Sequence, residues 1–187
     1  MDRRLLSVAL GQQPADLVIT NGQLVNVNSG EIYPGGVAIA GERIAAVGDV
    51  DYTIGPDTRR IDAGGAYLVP GFVEGHIHPE SSNLSMARFA EVALCHGTTS
   101  VFTDLHEIGV VGGMAAIDAA LEEGRRTPLK YYFVVPSHVP FSPGLETSGG
   151  HIDASIIEPA LEREDAVGLS EVVSLYVAMG NEDLLRS

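Results

Sequence analysis

The sequence predicts an α/β protein in which a small β-sandwich domain, residues 1–66, precedes the first half of a TIM-type (β/α)8 barrel, residues 67–187. Up to about residue 66, short β-prone runs alternate with turn residues. After Pro70, strand-like runs alternate with helical stretches, which is typical of parallel βα units. Residues able to bind metal follow the strand-like runs, where a barrel places its functional groups. That last observation favours the barrel over a three-layer sandwich.

The first part reads as a short N-terminal helix followed by strands and turns. Asn21-Gly22 predicts a hairpin between two strands, and Pro34-Gly35-Gly36 and Gly41-Glu42 mark further turns. Because this part lacks clustered ionisable groups, we interpret it as scaffold.

The second part contains four strand-like runs and three complete helical stretches. Asp153 is placed to cap the third helix, and Gly97 to end the first. The strands are expected within 71–78, 98–107, 129–137 and 166–174, the helices within 83–97, 112–126 and 153–165, and the start of another helix at 180–187.

Composition excludes several partners. The formal net charge of −14 over 187 residues argues against nucleic acid and against an anionic membrane surface. The apolar run near the N-terminus is too short for a signal sequence or a spanning helix. Cys95 is the only cysteine, so no internal disulfide forms, and we expect a cytoplasmic protein.

His76 and His78 are the first candidate site residues. Side chains at i and i+2 of a strand point to the same face, so both imidazoles would converge at the end of a buried strand. Two neutral imidazoles are half of a metal site. A hydrogen-bonded surface pair is the alternative, which the apolar run before Gly75 makes less favourable.

Carboxylates follow the other strands. Glu171 interrupts an apolar run, and burying an unpaired carboxylate costs several kcal/mol, so it lies either at a solvent edge or against a cation. Asp104, His106 and Glu107 follow the second strand and could bind metal or orient its ligands by hydrogen bonds. A helix cap at Asp104 is the plain alternative.

The segment from Pro136 to Gly150 is a long loop of the kind that lines a pocket. His138 in this loop is either a ligand-binding residue or a solvated one, and we favour the solvated interpretation. Glu80, Ser81 and Ser82 are expected to shape the pocket beside the histidines. The motifs of serine hydrolases, P-loop enzymes, Rossmann dinucleotide-binding proteins and zinc nucleobase deaminases are absent.

Five motifs taken in order resemble the adenine deaminase group of the metal-dependent amidohydrolase superfamily. The resemblance runs from about Asp16 to the end of the sequence. The motifs are GHIHPESS, HGTTSVFTDLHEIG, YYFVVPSHVP, ETSG and GLSEVVS.

The resemblance implies a binuclear metal centre that deaminates adenine by hydrolysis, giving hypoxanthine and ammonia. In it His76 and His78 match ligands of the first strand, and Glu171 matches a bridging carboxylate where many relatives use a carboxylated lysine. Manganese or iron is implied more than zinc. Asp104, His106 and Glu107 match a segment that could hold additional metal.

Three positions depart from the group's pattern, and they bear on the substrate more than on the metal. Leu105 replaces a usual proline, Pro79 stands where an aliphatic residue is more usual, and His138 stands where a cysteine is expected.

The group's remaining ligands come from strands beyond the fourth, so the resemblance implies a completing C-terminal half or a second copy of the chain. Its substrate would be a purine base. Two alternatives stay open: another amidohydrolase that opens a cyclic amide, and a non-catalytic half-barrel that serves as an assembly module.

Overall fold

The structure is a computed structural model that describes residues 2–141 and 145–172. The chain divides into two compact units, which part between Pro70 and Gly71. Each unit is built on its own sheet.

The first unit is a five-stranded sheet with a short helix. The strand order is β3-β2-β1-β4, and β5 pairs with the end of β1. Val8 of the helix packs with Val18, Ala38 and Val50 in a buried cluster. The elements are α1 (Arg3–Ala9), β1 (Leu17–Asn26), β2 (Glu31–Ala40), β3 (Arg43–Gly48), β4 (Arg59–Asp62) and β5 (Tyr67–Leu68).

Two predicted turns of this unit are wrong. Asn21-Gly22 lies inside β1, where the register with β2 shifts between Ile19 and Gly22 as at a β-bulge. Asn21 has a φ of 54°, and its Nδ2 donates to Asp62 Oδ1 at 2.9 Å, so the turn-prone residue serves the bulge. Pro34-Gly35-Gly36 likewise lies within β2. Gly41-Glu42 does form the turn between β2 and β3. The described residues of this unit contain one sheet.

The second unit is a parallel four-stranded sheet in the order β6-β7-β8-β9. Helices follow the first three strands, as the alternating pattern predicts. The elements are β6 (Phe72–Glu74), α2 (Met86–Cys95), β7 (Thr98–Thr103), α3 (His106–Gly124), β8 (Lys130–Val135), α4 (Ala154–Leu161) and β9 (Ala166–Leu169).

Local sequence sets several ends of these elements. Ser85 caps α2 by accepting from Arg88 N, and Gly97, with a φ of 87°, follows it into β7. Asp153 accepts from Ser155 N at the start of α4. The segment expected to begin another helix at 180–187 lies outside the described residues.

Helix α3 begins six residues earlier than expected, directly after β7. Its backbone is non-helical at Gly112 and Gly113, and the segment around residue 150 docks at this kink. The carbonyl of Val110 accepts from Gly149 N at 3.0 Å, Gly150 N at 2.9 Å and Ser148 Oγ at 2.9 Å. These bonds give the Val110 carbonyl hydrogen-bond partners at the point where the helical backbone is interrupted. The kinked helix starts at His106, close to the carboxyl end of β7.

The core of the second unit lies between this sheet and its helices. Leu105, Ile117, Phe133, Val135 and Ile157 are buried in it. Within the described residues, no helix is long and apolar enough to cross a bilayer.

Candidate metal centre

His76 and His78 lie just beyond the carboxyl end of β6, so the strand is shorter than predicted. The N–H of Ile77 donates to the carbonyl of Phe102 at 3.0 Å and keeps this segment tied to β7. The two imidazoles therefore still converge, with their Nε2 atoms 3.1 Å apart.

Glu171 lies two residues past the end of β9 and is exposed. No buried carboxylate therefore interrupts this strand, and Glu171 occupies the solvent edge that the sequence left open. Its main-chain carbonyl accepts a 2.6 Å hydrogen bond from Ser137 Oγ, which follows β8. One ligand atom from each of His76, His78 and Glu171 lies within 4.8 Å of the others.

This trio fits a divalent cation. Imidazole nitrogen and carboxylate oxygen are common ligands of transition metals. Two nitrogens bound to one ion at about 2.0–2.1 Å lie roughly 3 Å apart. The Nε2 atoms of His76 and His78 are already 3.1 Å apart, so neither ring has to move to bind the same ion. The structure therefore brings together the two histidines and the glutamate that the sequence singled out.

A second group of metal-binding residue types lies on the other side of the His78 ring. Nδ1 of His78 is 2.9 Å from Glu107 Oε2, 3.2 Å from Asp104 Oδ1 and 3.7 Å from Glu80 Oε1. Ligand atoms of His78, Glu80 and Asp104 lie within 4.8 Å of one another. His78 thus stands between its neighbour His76 and three carboxylates.

Asp104 is the most buried of these carboxylates, with 1% of its surface exposed. Its Oδ1 accepts from His106 N, at the first residue of α3, at 3.1 Å, although the N-cap position of this helix is Leu105 and not Asp104. Its Oδ2 accepts from Ser170 Oγ at 2.6 Å. One side chain therefore serves both the helix start and the candidate site.

The carboxylates perturb one another. Burial and the neighbouring Glu107 raise the pKa of Glu80, whose side chain is 7% exposed, to about 8. Partial burial acts to raise the pKa of Glu107. Hydrogen bonds with Glu80, its own backbone and Ser81 outweigh burial and lower that pKa to about 2. The two neighbouring carboxyl groups therefore have pKa values shifted in opposite directions.

Burial acts to lower the pKa of His78, but the charges of Asp104, Glu107 and Glu80 outweigh it and raise that pKa above its usual value. A cation at this site therefore competes with a proton for the imidazole.

His106 belongs to neither metal-binding group among the described residues. Its ring stacks on Phe141 with centroids 4.1 Å apart and an interplanar angle of 17°. Burial lowers the pKa of His106, which keeps the ring neutral near pH 7. The His106 ring therefore packs on Phe141, although the residue still contacts Asp104 through its main-chain nitrogen.

Glu80, Ser81 and Ser82 form a 3-10 turn, Pro79–Ser82, beside the histidines. Ser81 Oγ donates to Glu107 Oε1 at 2.9 Å, and Ser82 Oγ donates to the carbonyl of Pro79 within the turn. These residues lie against the carboxylate cluster, with Ser82 turned toward its own backbone.

His138 is buried, with 2% of its surface exposed, so the solvated interpretation of this residue is wrong. The antiparallel bridge between Val139 and Ile152 holds its segment against α3, and both of these residues are buried in the core. Proline and glycine in this loop suggested a solvated segment, but its apolar residues fold it inward.

Ser170 was missed by the sequence reasoning, whereas Ser137 stands at the end of a predicted strand but was given no role. Both follow strands β8 and β9 at the carboxyl edge, and both use the hydroxyl to hold a site segment. Hydroxyl residues at strand ends were the available signal, but serine is too common at such positions to be singled out.

Several named relatives that are similar to this chain are adenine deaminases. The chain is 45% identical over 172 residues to the adenine deaminase of Moorella thermoacetica, and 46% identical over 187 residues to that of Rubrobacter xylanophilus. It is 44% identical over 181 residues to adenine deaminase 3 of Rhizobium meliloti. These matches cover 92%, 97% and 96% of this chain, but 29%, 31% and 30% of the relatives. The chain therefore spans less than a third of the relatives' length.

Two solved structures share the fold. An adenine deaminase crystal structure matches with a TM-score of 0.57 and 22% identity, covering 83% of this chain and 40% of that one. L-hydantoinase from Arthrobacter aurescens matches with a TM-score of 0.61 and 18% identity, covering 87% and 37%. No protein-family model matches the chain.

Proposed function

We propose that this chain, which is similar to adenine deaminases along most of its length, belongs to that group of the amidohydrolase superfamily and supplies the N-terminal part of a metal-dependent enzyme that hydrolyses adenine to hypoxanthine and ammonia. The observation that carries the proposal is the convergence of His76, His78 and Glu171 at the carboxyl edge of a parallel sheet. In (β/α)8 barrels that edge is where active sites lie. The alternative of a cyclic-amide hydrolase is not favoured by the relatives.

We propose His76, His78 and Glu171 as the residues that hold the cation, with manganese or iron as the expected metal and zinc also meeting the donor set. When bound, a cation of this kind polarises the substrate and lowers the pKa of water toward neutrality. The purine base would lie beside it, against the turn that contains Glu80, Ser81 and Ser82 and near His138.

The chain's own residues prepare this site. Asp104 and Glu107 place negative charge beside Nδ1 of His78, which favours a hydrogen on that nitrogen and leaves Nε2 free to face His76. The hydrogen bond from the Ser137 hydroxyl to the main-chain carbonyl of Glu171 holds Glu171 near both rings. We assign Glu107 and His106 no metal-binding role, because among residues 2–141 and 145–172 neither contributes an atom to the two sets of ligand atoms that lie within 4.8 Å of one another.

We further propose that the second unit is the first half of a barrel and the first unit one layer of a β-sandwich, with the domains at 1–66 and 67–187. Within the described part of the chain, β6 and β9 are the edges of the parallel sheet. Phe72 and Val73 on β6 are 59% and 61% exposed. Unpaired apolar edges of this kind require cover. Further strands of the same protein, or a second copy, would pair with them and complete the ligand set.

We also propose that the protein is cytoplasmic and acts on a small molecule. We expect it to bind neither nucleic acid nor a membrane. The acidic net charge and the single cysteine support this proposal.

The test is product formation by the complete gene product, loaded in turn with Mn²⁺, Fe²⁺ or Zn²⁺. We expect ammonia and hypoxanthine in equal amounts from adenine, and at least a 100-fold loss of rate in His76→Asn. His96→Asn, at the exposed end of α2, is the matched control and should keep full activity. Ring opening of a hydantoin without ammonia from adenine would overturn the proposed substrate. Tight metal binding without turnover of either compound would overturn the enzymatic proposal.

A further inference from the structure

Asp104 contacts both chain segments that carry the proposed metal ligands. It follows β7, and only 1% of its surface is exposed. Oδ1 lies 3.2 Å from Nδ1 of His78, and Oδ2 accepts a 2.6 Å hydrogen bond from Ser170, the residue before Glu171. The side chain therefore lies between the end of β6 and the end of β9.

Asp104 itself is held in place by the helix that follows it. Its Oδ1 accepts from His106 N, and Leu105, between them, is fully buried in the core and has a φ of 53°. A left-handed backbone conformation costs a non-glycine residue free energy, so it persists only where the surrounding structure holds it. The buried Leu105 side chain fixes the turn, and the turn aims the Asp104 carboxylate at His78 and Ser170.

We propose that Asp104 is a positioning residue for the metal centre, orienting the imidazole of His78 and, through Ser170, the backbone that presents Glu171. This rests on the proposed function only in taking His78 and Glu171 as ligands. Groups that orient a metal ligand affect metal affinity strongly, since a ring that is free to turn binds less well. One carboxylate acting on two ligands should have a larger effect than a contact to either alone.

The same atoms allow a different role for Asp104. His78, Glu80 and Asp104 lie close enough to share an ion of their own, and both Glu80 oxygens lack a hydrogen-bond partner of good geometry. In that case Nδ1 of His78 would bind an ion and would not carry the hydrogen that faces Asp104. The two roles predict different metal stoichiometry, so one experiment separates them.

The experiment measures metal affinity and stoichiometry in the complete gene product. Wild type, Asp104→Asn and Ser170→Ala are stripped with a chelator and titrated with Mn²⁺ and Co²⁺ against a chromophoric competitor. Bound metal is counted by elemental analysis, and the Co²⁺ absorption spectrum reports ligand geometry. Asp153→Asn is the matched control, because Asn caps a helix as well as Asp does.

We expect Asp104→Asn to weaken metal binding about 10–100-fold, with an unchanged number of ions and an altered Co²⁺ spectrum. Ser170→Ala should give a smaller loss in the same direction, and it leaves every charge in place should Asp104→Asn fold poorly. Wild-type affinity in Ser170→Ala, or in a folded Asp104→Asn, would overturn the inference. Loss of one whole ion with unchanged affinity for the rest would overturn it in favour of a separate ion at Glu80.

Failure of this inference and failure of the proposed function look different. If wild type binds metal and does not deaminate adenine, the function fails and the affinity comparison still decides the role of Asp104. If wild type deaminates adenine and either variant, when folded, binds metal with wild-type affinity, the inference alone fails. If wild type binds no metal, both fail.

Discussion

The hydroxyl of Ser137 donates a 2.6 Å hydrogen bond to the main-chain carbonyl of Glu171, joining the ends of β8 and β9. Ser137 is buried, with 1% of its surface exposed, whereas Glu171 is exposed. An exposed carboxylate has little packing of its own, so this bond is a main restraint on where its backbone lies.

Ser137→Ala should therefore weaken metal binding without abolishing the fold. A lost hydrogen bond at a buried position costs about 1 kcal/mol, which corresponds to about fivefold in affinity if it acts on the bound state alone. Competition titration with Mn²⁺ measures it. Ser29→Ala, on the exposed turn of the first unit, serves as the control. Equal affinity in Ser137→Ala and Ser29→Ala would show that the bond does not hold Glu171 in place.

Asn21 should tolerate glycine better than alanine. Its φ of 54° lies in the left-handed region, which costs an ordinary L-residue about 1–2 kcal/mol. Asn21→Gly loses only the bond to Asp62, whereas Asn21→Ala loses that bond and adds the backbone cost. Urea unfolding should rank the stabilities as wild type, Gly, then Ala. An Ala variant as stable as the Gly variant would mean that the backbone relaxes there.

Asn21 also shows why the sequence predicted the wrong turn. Asn-Gly favours positive φ, and both a hairpin and a β-bulge use that conformation. The local signal was correct, but the choice between hairpin and bulge depends on pairing with β2 and on Asp62, which lies 41 residues away. Gly97 and Asp153 act within a few residues of the helix ends they mark, and for that reason those ends were predictable.

Some features of the candidate site were likewise predictable from the sequence and others were not. The convergence of His76 and His78 follows from their spacing and was predictable, as was the nearness of Glu171 once parallel βα units were assigned. The start of α3 at His106 was not, because Gly112 and Gly113 disfavour a helix there and long-range bonds to Val110 compensate. The role of Asp104 toward both ends depends on that start.

Arg163 should stabilise the second unit near neutral pH, and acid should remove part of that stability. Its guanidinium pairs with Asp165 and Asp118 and lies 5.2 Å from the ring centroid of Phe133. The hydrogen bond from Arg163 holds the pKa of Asp165 below its usual 3.8. A carboxyl pKa that is lower in the folded than in the unfolded state adds stability at pH values above 3.8. That stability is lost as the pH falls through the folded-state pKa.

Arg163→Met keeps the apolar stem and removes the charge. It should melt at a lower temperature than wild type at pH 6, and the difference should shrink as the pH falls below 3.8. Thermal unfolding of the chelator-treated protein from pH 6 to pH 2.5 measures this. Arg88→Met removes an exposed pair on α2 and should change little. A pH-independent difference would assign the effect of Arg163 to packing on Phe133.

Gly150→Ala should destabilise the second unit strongly. A Cβ at this position would lie 2.0 Å from the carbonyl oxygen of Gly109 and 2.4 Å from the nitrogen of Gly113, both of them backbone atoms. The segment must therefore move away from α3, and the bonds to Val110 weaken. We expect a loss of about 2–4 kcal/mol, the range for strain and broken buried bonds. Gly75→Ala, with nothing within 4 Å of its Cβ, is the control for urea unfolding, and equal stability would disprove the close contact.

Glu171→Gln in the complete gene product should remove metal retention and, with it, adenine deamination. The amide keeps the size of the side chain and the hydrogen bond from Ser137 to the main-chain carbonyl, but it lacks the negative charge that a carboxylate would bring to a cation held by the two histidines. Glu171→Asp keeps the charge on a shorter arm and should retain part of the bound metal, which separates loss of charge from loss of reach. Elemental analysis after dialysis and ammonia release give the two readouts. Because Glu171 is exposed, neither variant should lower the melting temperature of the metal-free protein. Full metal content and turnover in Glu171→Gln would remove Glu171 from the ligand set and leave the two histidines to act with residues beyond this part of the chain.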